Sequence, residues 1–343
     1  MRHTLRFALL ALLLVLPASL SAADGALDIY WIDVEGGAAT LVVTPAGETV
    51  LIDTGNPGRR DPDRITQVVT RAAGKKQIDH LVITHYHRDH YGGAETLATM
   101  LPIKNVHDNG VFDGMPDNPG KAYFELKSEE RSVVQPGATL PLRQAEGAAK
   151  LQFAFLGARK SFVEAAKDAA DNVCCGKVRE KDRDGSDNAN SVVMLLDFGP
   201  FRFLDAGDLT WNQETRLVCP KNLVGEVDVY QVTHHGLDSS NNPVVLESVK
   251  PVVAVMNNGV TKGCRPEVFE TLKATDSLQA VYQVHKNLRP DGSVNNAPDE
   301  FIANHEQACQ GHYIKLSVAA DGKSYTISIP AHGHERTYKT KAK

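Results

Sequence analysis

Four potential metal ligands fall within six residues, at His85, His87, Asp89 and His90, in the run His85-Tyr86-His87-Arg88-Asp89-His90-Tyr91-Gly92-Gly93. Neutral imidazole and carboxylate suit zinc, and a site that the protein fills incompletely keeps a position for water or substrate. Residues two apart in an extended loop point the same way, so His85 and His87 can hold one ion while Asp89 and His90 turn toward a neighbouring one. Chance histidines on a polar loop would account for one such residue, not for four at this spacing. Two further segments carry the same residue types, Leu204-Asp205-Ala206-Gly207-Asp208 and Val232-Thr233-His234-His235-Gly236. Two cations about 3.5 to 4 Å apart can bridge a water, lower its pKa to about 7 and clamp both the attacked centre and the leaving oxygen, which is hydrolytic chemistry.

The elements around these residues must bring them together. The apolar, β-branched run 78–84 follows Ala73-Gly74-Lys75-Lys76 and predicts a buried parallel strand, with the ligands at its carboxyl end, where open α/β sheets place their chemistry. Runs 27–34, 39–44 and 48–52 predict an antiparallel meander that ends in Asp53-Thr54-Gly55. Later strands are expected at 103–107, 151–156, 190–199, 201–208, 227–232, 251–256 and 280–284, with a closing hairpin at 314–318 and 325–329. Helical spacing predicts 61–73, 94–101, 121–131, 211–218 and 266–274. The helix after Gly92-Gly93 points its N-terminus back at the site, where it favours an anion. Residues 157–189, Gly- and Asp-rich, are expected as a mobile loop insertion able to serve as a lid. Phe112, Met115 and Tyr123 are candidate pocket walls, and His107 is expected at the surface or behind the ligands.

His85-Tyr86-His87-Arg88-Asp89-His90 resembles the HxHxDH signature of the metallo-β-lactamase fold superfamily, and Asp53-Thr54-Gly55 resembles its DTG element. The resemblance implies an α/β fold, a four-layer αββα metallo-β-lactamase sandwich with its site along the edge between two halves. It further implies that His85, His87, Asp89, His90, Asp208 and His235 bind two zinc ions, with Asp208 bridging. His234 is then expected to donate to the substrate, Asp89 or Asp208 to orient the nucleophile, and Asp53 and Asn190 to support the ligands. One departure narrows the reading. The superfamily commonly places a third histidine on the first metal, whereas this chain has none from residue 108 to 233. Manganese is therefore kept as an alternative to zinc. Asn188-Ala189-Asn190-Ser191 is similar instead to a pattern in the hydrolase domain of bacterial DNA-uptake competence proteins, and phosphorylcholine esterases resemble the same branch. Asp33-Val34-Glu35-Gly36-Gly37 is similar to the DVGQGD opening of that domain. The branch implies a phosphodiester or a phosphorylated small molecule as substrate. The alternatives are acyl hydrolysis of a β-lactam or lactone, and a non-catalytic metal-binding module.

The first 23 residues carry Arg2 and Arg6, an apolar stretch over 7–16, Pro17 and then Ser21-Ala22-Ala23, the pattern of a secretory signal peptide. The expected mature chain, 24–343, is one exported domain, periplasmic or secreted, with no membrane attachment. Loss of Arg2 and Arg6 takes the net charge from -5 to -7, with 42 acidic residues against 35 basic ones. Long polyanions bind through stripes of Lys and Arg, and no dense basic cluster is present, so a small-molecule substrate is expected and a nucleic-acid partner is not. The five cysteines all lie outside the histidine loop. In an oxidising compartment an even subset can pair, and Cys264 with Cys309 is the expected bridge, both being in loop-like sequence.

Overall fold

The chain pairs antiparallel strands first and parallel strands second, and does so twice. A computed structural model describes residues 25–342; the expected leader, 1–23, lies outside them. The first sheet contains β1 (Leu27–Trp31), β2 (Thr40–Val43), β3 (Thr49–Ile52), β4 (Ile78–Val82), β5 (Ile103–Asp108) and β6 (Glu130–Val133). The second contains β7 (Leu151–Ala158), β8 (Ser161–Phe162), β9 (Val193–Phe198), β10 (Phe201–Asp205), β11 (Val229–Gln231), β12 (Val253–Met256), β13 (Ala280–His285) and β14 (Ile302–Asn304). The chain then returns to the first sheet as β15 (Ile314–Val318), β16 (Ser324–Ile329) and β17 (His334–Lys339), giving the order β17-β16-β15-β1-β2-β3-β4-β5-β6 beside β14-β13-β12-β11-β10-β9-β7-β8. Pairing is antiparallel through β1-β2-β3 and β7-β9-β10, then parallel through β3 to β6 and β10 to β14.

Period-two alternation assigns the layers. Leu27, Ile29 and Trp31 of β1 and Met194, Leu196 and Phe198 of β9 meet in the core between the sheets. Tyr30 and Leu41 face outward onto α1 (Arg60–Gln67), whose Ile65 they pack with, and onto α3 (Ala94–Ala98), which follows the short α2 (Arg88–Tyr91). On the far side Val193, Leu195 and Leu204 pack against α5 (Trp211–Val218), α6 (Pro243–Val249) and α7 (Pro266–Lys273), with α4 (Lys121–Phe124) belonging to the first half. The layers are therefore α, β, β, α, the sandwich expected. Each large apolar side chain fully withdrawn from water contributes about 1.5 to 3 kcal/mol, so the core between the sheets dominates stability. Near the site the sheets are also joined by hydrogen bonds, since Trp31 Nε1 and Thr40 Oγ1 both donate to Gln231 Oε1, at 2.8 and 3.0 Å.

Several expectations are corrected. Residues 121–131 form only α4 before Glu130 pairs with Asn105 in β6, so strand pairing prevails over helical propensity at the sheet edge. The terminal hairpin gains a third strand, β17, and β14 adds an edge to the second sheet. The disulfide joins Cys175 to Cys219, with Cα atoms 5.7 Å apart, while Cys264 and Cys309 are free. Cys264 is buried against the carbonyl of Asn295 (2.7 Å), and the Cys309 thiol donates to Asp33 Oδ2 (3.0 Å). Loop character in sequence carries no information on Cα separation, which decides whether a bridge can close. That disulfide also alters the picture of residues 157–189. The segment opens as the β7-β8 hairpin, is stapled to the end of α5, and is tied further by Trp211 Nε1 donating to Arg179 O (2.7 Å) and Asn172 Nδ2 to Val218 O (2.8 Å). It is a pinned strap rather than a lid. Among the described residues no helix is long and apolar enough to cross a membrane.

Candidate metal centre

Every candidate ligand stands just beyond the carboxyl end of a parallel strand, the first set after β4, Asp208 after β10 and His235 after β11. The strands deliver the backbone, and tight turns aim the side chains. Gly37 lets two backbones meet, since a Cβ there would stand 2.4 Å from Asp89 O, and Ala38 N–H donates to that same oxygen at 3.1 Å. At the second turn His234 and His235 both adopt left-handed φ, 55° and 56°. Non-glycine residues held there cost on the order of 1 to 3 kcal/mol each. A buried brace supports the turn, because Tyr230 Oη meets Thr233 Oγ1 (2.8 Å) and donates to Asn241 Oδ1 (2.9 Å), and Asn241 Nδ2 donates to Thr233 O (2.9 Å).

One ligand atom each from Asp89, His90, Asp208 and His235 lies within 4.8 Å of the others. Asp208 Oδ2 is the hub, 3.1 Å from His90 Nε2, 3.2 Å from His235 Nε2 and 4.0 Å from His85 Nε2. Asp89 Oδ2 is 3.5 Å from His90 Nε2 and 3.4 Å from His235 Nε2. The far nitrogens are all committed. His90 Nδ1–H donates to Asp53 Oδ2 (2.7 Å) and His235 Nδ1–H to Asn257 O (3.2 Å). Thr84 gives its hydroxyl proton to Asp53 Oδ2 (2.8 Å), so its oxygen accepts from His85 Nδ1–H (3.1 Å). These bonds leave three Nε2 lone pairs facing inward, the arrangement that fixes tautomer and orientation in ligating histidines. His85 Nε2 is buried with no hydrogen-bond partner, which is costly for a polar atom unless a cation completes it.

The electrostatics agree. Burial opposes charge on Asp208, but His235, His90 and His234 hold its carboxyl well below the usual range. Burial likewise opposes Asp89, which His90, His235 and Lys262 keep ionised. Burial disfavours protonation of His90 and His235, yet Asp208 raises both, helped at His90 by Asp53 and Asp89. His85, farther from the carboxylates, is held neutral by burial and by the His90 charge. A field that draws a proton onto an imidazole lone pair draws a metal cation there equally, so the donor set fits the divalent ions that the sequence implies.

The remaining site residues are placed as follows. His87 lies at the rim, its side chain 29% exposed and its Nε2 3.4 Å from Asp117, with its ring centroid 4.7 Å from that of His85. Asp53 sits beneath His90, also accepting from Thr84 N–H at 2.8 Å. Asn190 does not reach them; its amide donates to Asp187 Oδ1 (2.8 Å), and Asp187 Oδ2 accepts from Tyr86 N–H (2.6 Å), so it props the loop between His85 and His87. The amide that does face the site is Asn188, with Nδ2 3.3 Å from His234 Nε2 and its Oδ1 buried without a partner. His234 departs from the donor role. Ser240 Oγ donates to Leu209 O (2.7 Å) and therefore accepts from His234 Nδ1–H (3.1 Å), leaving Nε2 as an acceptor 3.5 Å from Asp208 Oδ2. Burial pushes that imidazole down to about 4. Tyr123 is core, not pocket wall, its hydroxyl donating to Asp108 Oδ2 (2.7 Å), while Phe112 and Met115 are half-buried against the same cluster. His107 stacks on His80 away from the ligands. Sequence reasoning missed Asp187, Asn188 and Lys262; the Asn188–Ser191 pattern pointed to the right strap, and Lys262 carried no signal.

The layered fold and the histidine loop define a class of metal-site protein, and comparison with known proteins agrees. A family profile described as "Metallo-beta-lactamase superfamily" matches residues 32–152. Over 229 residues it is 26% identical to "Recombination protein 2" of Haemophilus influenzae, covering 66% of this chain and 24% of that protein. Over 90 residues it is 39% identical to a "metal-dependent hydrolase" of Cupriavidus metallidurans, covering 25% of this chain and 28% of that one. The chain thus spans about a quarter of the length of these curated relatives. A solved metallo-beta-lactamase fold protein from Bacillus subtilis aligns over 84% of this chain and 99% of its own, at 12% identity and a TM-score of 0.41.

Proposed function

We propose that this protein is an exported metal-dependent hydrolase that holds two divalent cations, zinc or alternatively manganese, and cleaves a phosphodiester or a phosphorylated small molecule. The observation that carries the reading is the convergence of Asp89, His90, Asp208 and His235, four donors from three separated segments within 4.8 Å. His85, His87 and Asp208 would hold the first ion, and Asp89, His90, Asp208 and His235 the second. Bound there, the cations would supply Lewis acidity toward a phosphoryl oxygen and a water of lowered pKa. The protein's own part is orientation. Asp53 and Thr84 hold the His90 and His85 rings, Asp89 or Asp208 accepts a hydrogen bond from the attacking water, and His234 Nε2 offers a lone pair beside Asp208. Asn188 adds an amide that can steady a substrate oxygen.

A groove of about 800 Å³ opens beside Ser239, whose hydroxyl lies 3.0 Å from His234 Nδ1, and is walled by the strap residues 180–184 and by Trp211. The relative named a metal-dependent hydrolase supports the reaction class. Export is supported by the leader pattern in residues 1–23 and by the Cys175–Cys219 disulfide, a bond typical of oxidising compartments. The test is metal analysis of the purified protein, coupled to assays with bis(p-nitrophenyl) phosphate and nitrocefin under added zinc or manganese. About two metals per chain with phosphodiester turnover is expected. Turnover of nitrocefin alone would transfer the reading to acyl hydrolysis, and a chain without metal would refute both.

A further inference from the structure

Lys262 lies between β12 and α7, and its ammonium contacts Asp89 Oδ2, one of the clustered donors, while the side chain stays 37% exposed. An ammonium group has donors only and repels other cations, so it adds nothing to the holding of metals. Yet the lysine is held in place from three directions. Gly36, with φ +91°, leaves room for it, since a Cβ there would stand 2.9 Å from Lys262 Cβ. Arg289, braced by Asp291 at 3.0 Å, donates to Thr261 O and Gly263 O at 2.7 Å each and to Cys264 O at 3.0 Å. Cys264 N–H donates to His235 O at 3.0 Å, coupling the lysine's loop to the histidine turn.

The ammonium meets a carboxylate oxygen, Asp89 Oδ2, that a bound cation would also claim, and its remaining N–H donors are open to an anion beside the metals. Beside His234, whose Nε2 lies 3.3 Å from Asn188 Nδ2, Asn188 Oδ1 is a buried acceptor with no protein partner, which a water or a protonated ligand oxygen would satisfy. We propose that Lys262 is the anion receptor of the site. It takes a non-reacting oxygen of a phosphoryl group bound at the centre, and so restricts the substrate to phosphate esters that keep a negative charge on the attacked group. This inference rests on the phosphoester reading above and assigns its specificity to one side chain.

The experiment uses zinc-loaded protein with inorganic phosphate as probe, titrated calorimetrically into wild type, Lys262→Gln and Lys262→Arg, with zinc content measured on each. A lost charge-assisted hydrogen bond predicts that Lys262→Gln keeps its zinc but binds phosphate about 10- to 100-fold more weakly. KM for bis(p-nitrophenyl) phosphate should rise in parallel while kcat changes less, and Lys262→Arg should recover most of the phosphate affinity. Wild type and Lys262→Gln binding phosphate equally, both with full zinc, would overturn the inference and leave the phosphoester reading standing. A wild-type protein that holds zinc but ignores phosphate would overturn both.

Discussion

Replacing Asp53 by Asn separates metal affinity from folding. Asp53 has φ +59°, a left-handed backbone that Asn tolerates but that costs other L-residues about 1 to 2 kcal/mol. Asp53→Ala would therefore confound strain with chemistry, whereas Asp53→Asn keeps shape and backbone. The carboxylate accepts three hydrogen bonds, from His90 Nδ1 (2.7 Å), Thr84 Oγ1 (2.8 Å) and Thr84 N–H (2.8 Å). The amide can keep the last, but its NH2 would face the His90 N–H. To relieve that clash of donors His90 must shift its proton to Nε2, the atom that faces Asp208, or turn away. Either response removes a lone pair from the centre. A lost charge-assisted bond is worth about 1.5 to 3 kcal/mol, and outer carboxylate partners of ligating histidines typically govern about 10- to 100-fold in metal affinity. Zinc competition against a chromophoric chelator should show a loss of that size, with thermal unfolding still cooperative. Zinc held as tightly by Asp53→Asn as by wild type would refute the reasoning that the Asp53–His90 bond presents His90 Nε2 to a metal.

Other substitutions probe the remaining links. Asp208→Ala should lose metal and turnover together, because all four inward histidines lie within 4.0 Å of its Oδ2, whereas His234→Ala should keep metal and lose about a hundredfold or more in kcat; equal metal loss in both would refute the division of roles within the histidine pair. Opening the Cys175–Cys219 bridge, whose ends are 44 positions apart in sequence, should lower stability by up to about 4 kcal/mol on a chain-entropy argument and expose the strap to proteolysis at unchanged zinc content, read by denaturant titration with and without reductant. Burial raises the Glu214 carboxyl from 4.5 to about 7, against the pull of the Asn242 and Asn241 backbone N–H groups. The folded protein thus keeps a proton that the unfolded chain releases, so the stabilisation is full below pH 4.5 and lost as pH rises through 7. At about 1.4 kcal/mol per pH unit the loss is about 3 kcal/mol, and Glu214→Gln should flatten the stability profile between those pH values; an unchanged profile would refute the assignment.

Much of this was legible from residues alone. Alternation of apolar side chains marked most strands, because one face of each must leave water, and the histidine loop marked the site, because four ligands in six residues after a strand rarely arise by chance. The end of the helical pattern at residue 73 and the distant Asp208 and His235 were equally visible as types and positions. Sequence did not decide what depends on separation in space. Cys264 and Cys309 looked like a pair and are not, since a disulfide answers to Cα distance. Asn190 looked like the supporting amide, but the turn that ends the strap points Asn188 at His234 and Asn190 at Asp187. His234 turned from donor to acceptor because Ser240 commits its Nδ1. Lys262, which shares no motif with the ligands, reaches Asp89 only because Gly36 and Arg289 hold its loop against the other half of the fold. Residue type and local period thus determined which groups could do chemistry and which strands would carry them. Which atoms meet, and with which lone pair or proton presented, was decided by the packing of two sheets whose contacts join residues more than a hundred positions apart.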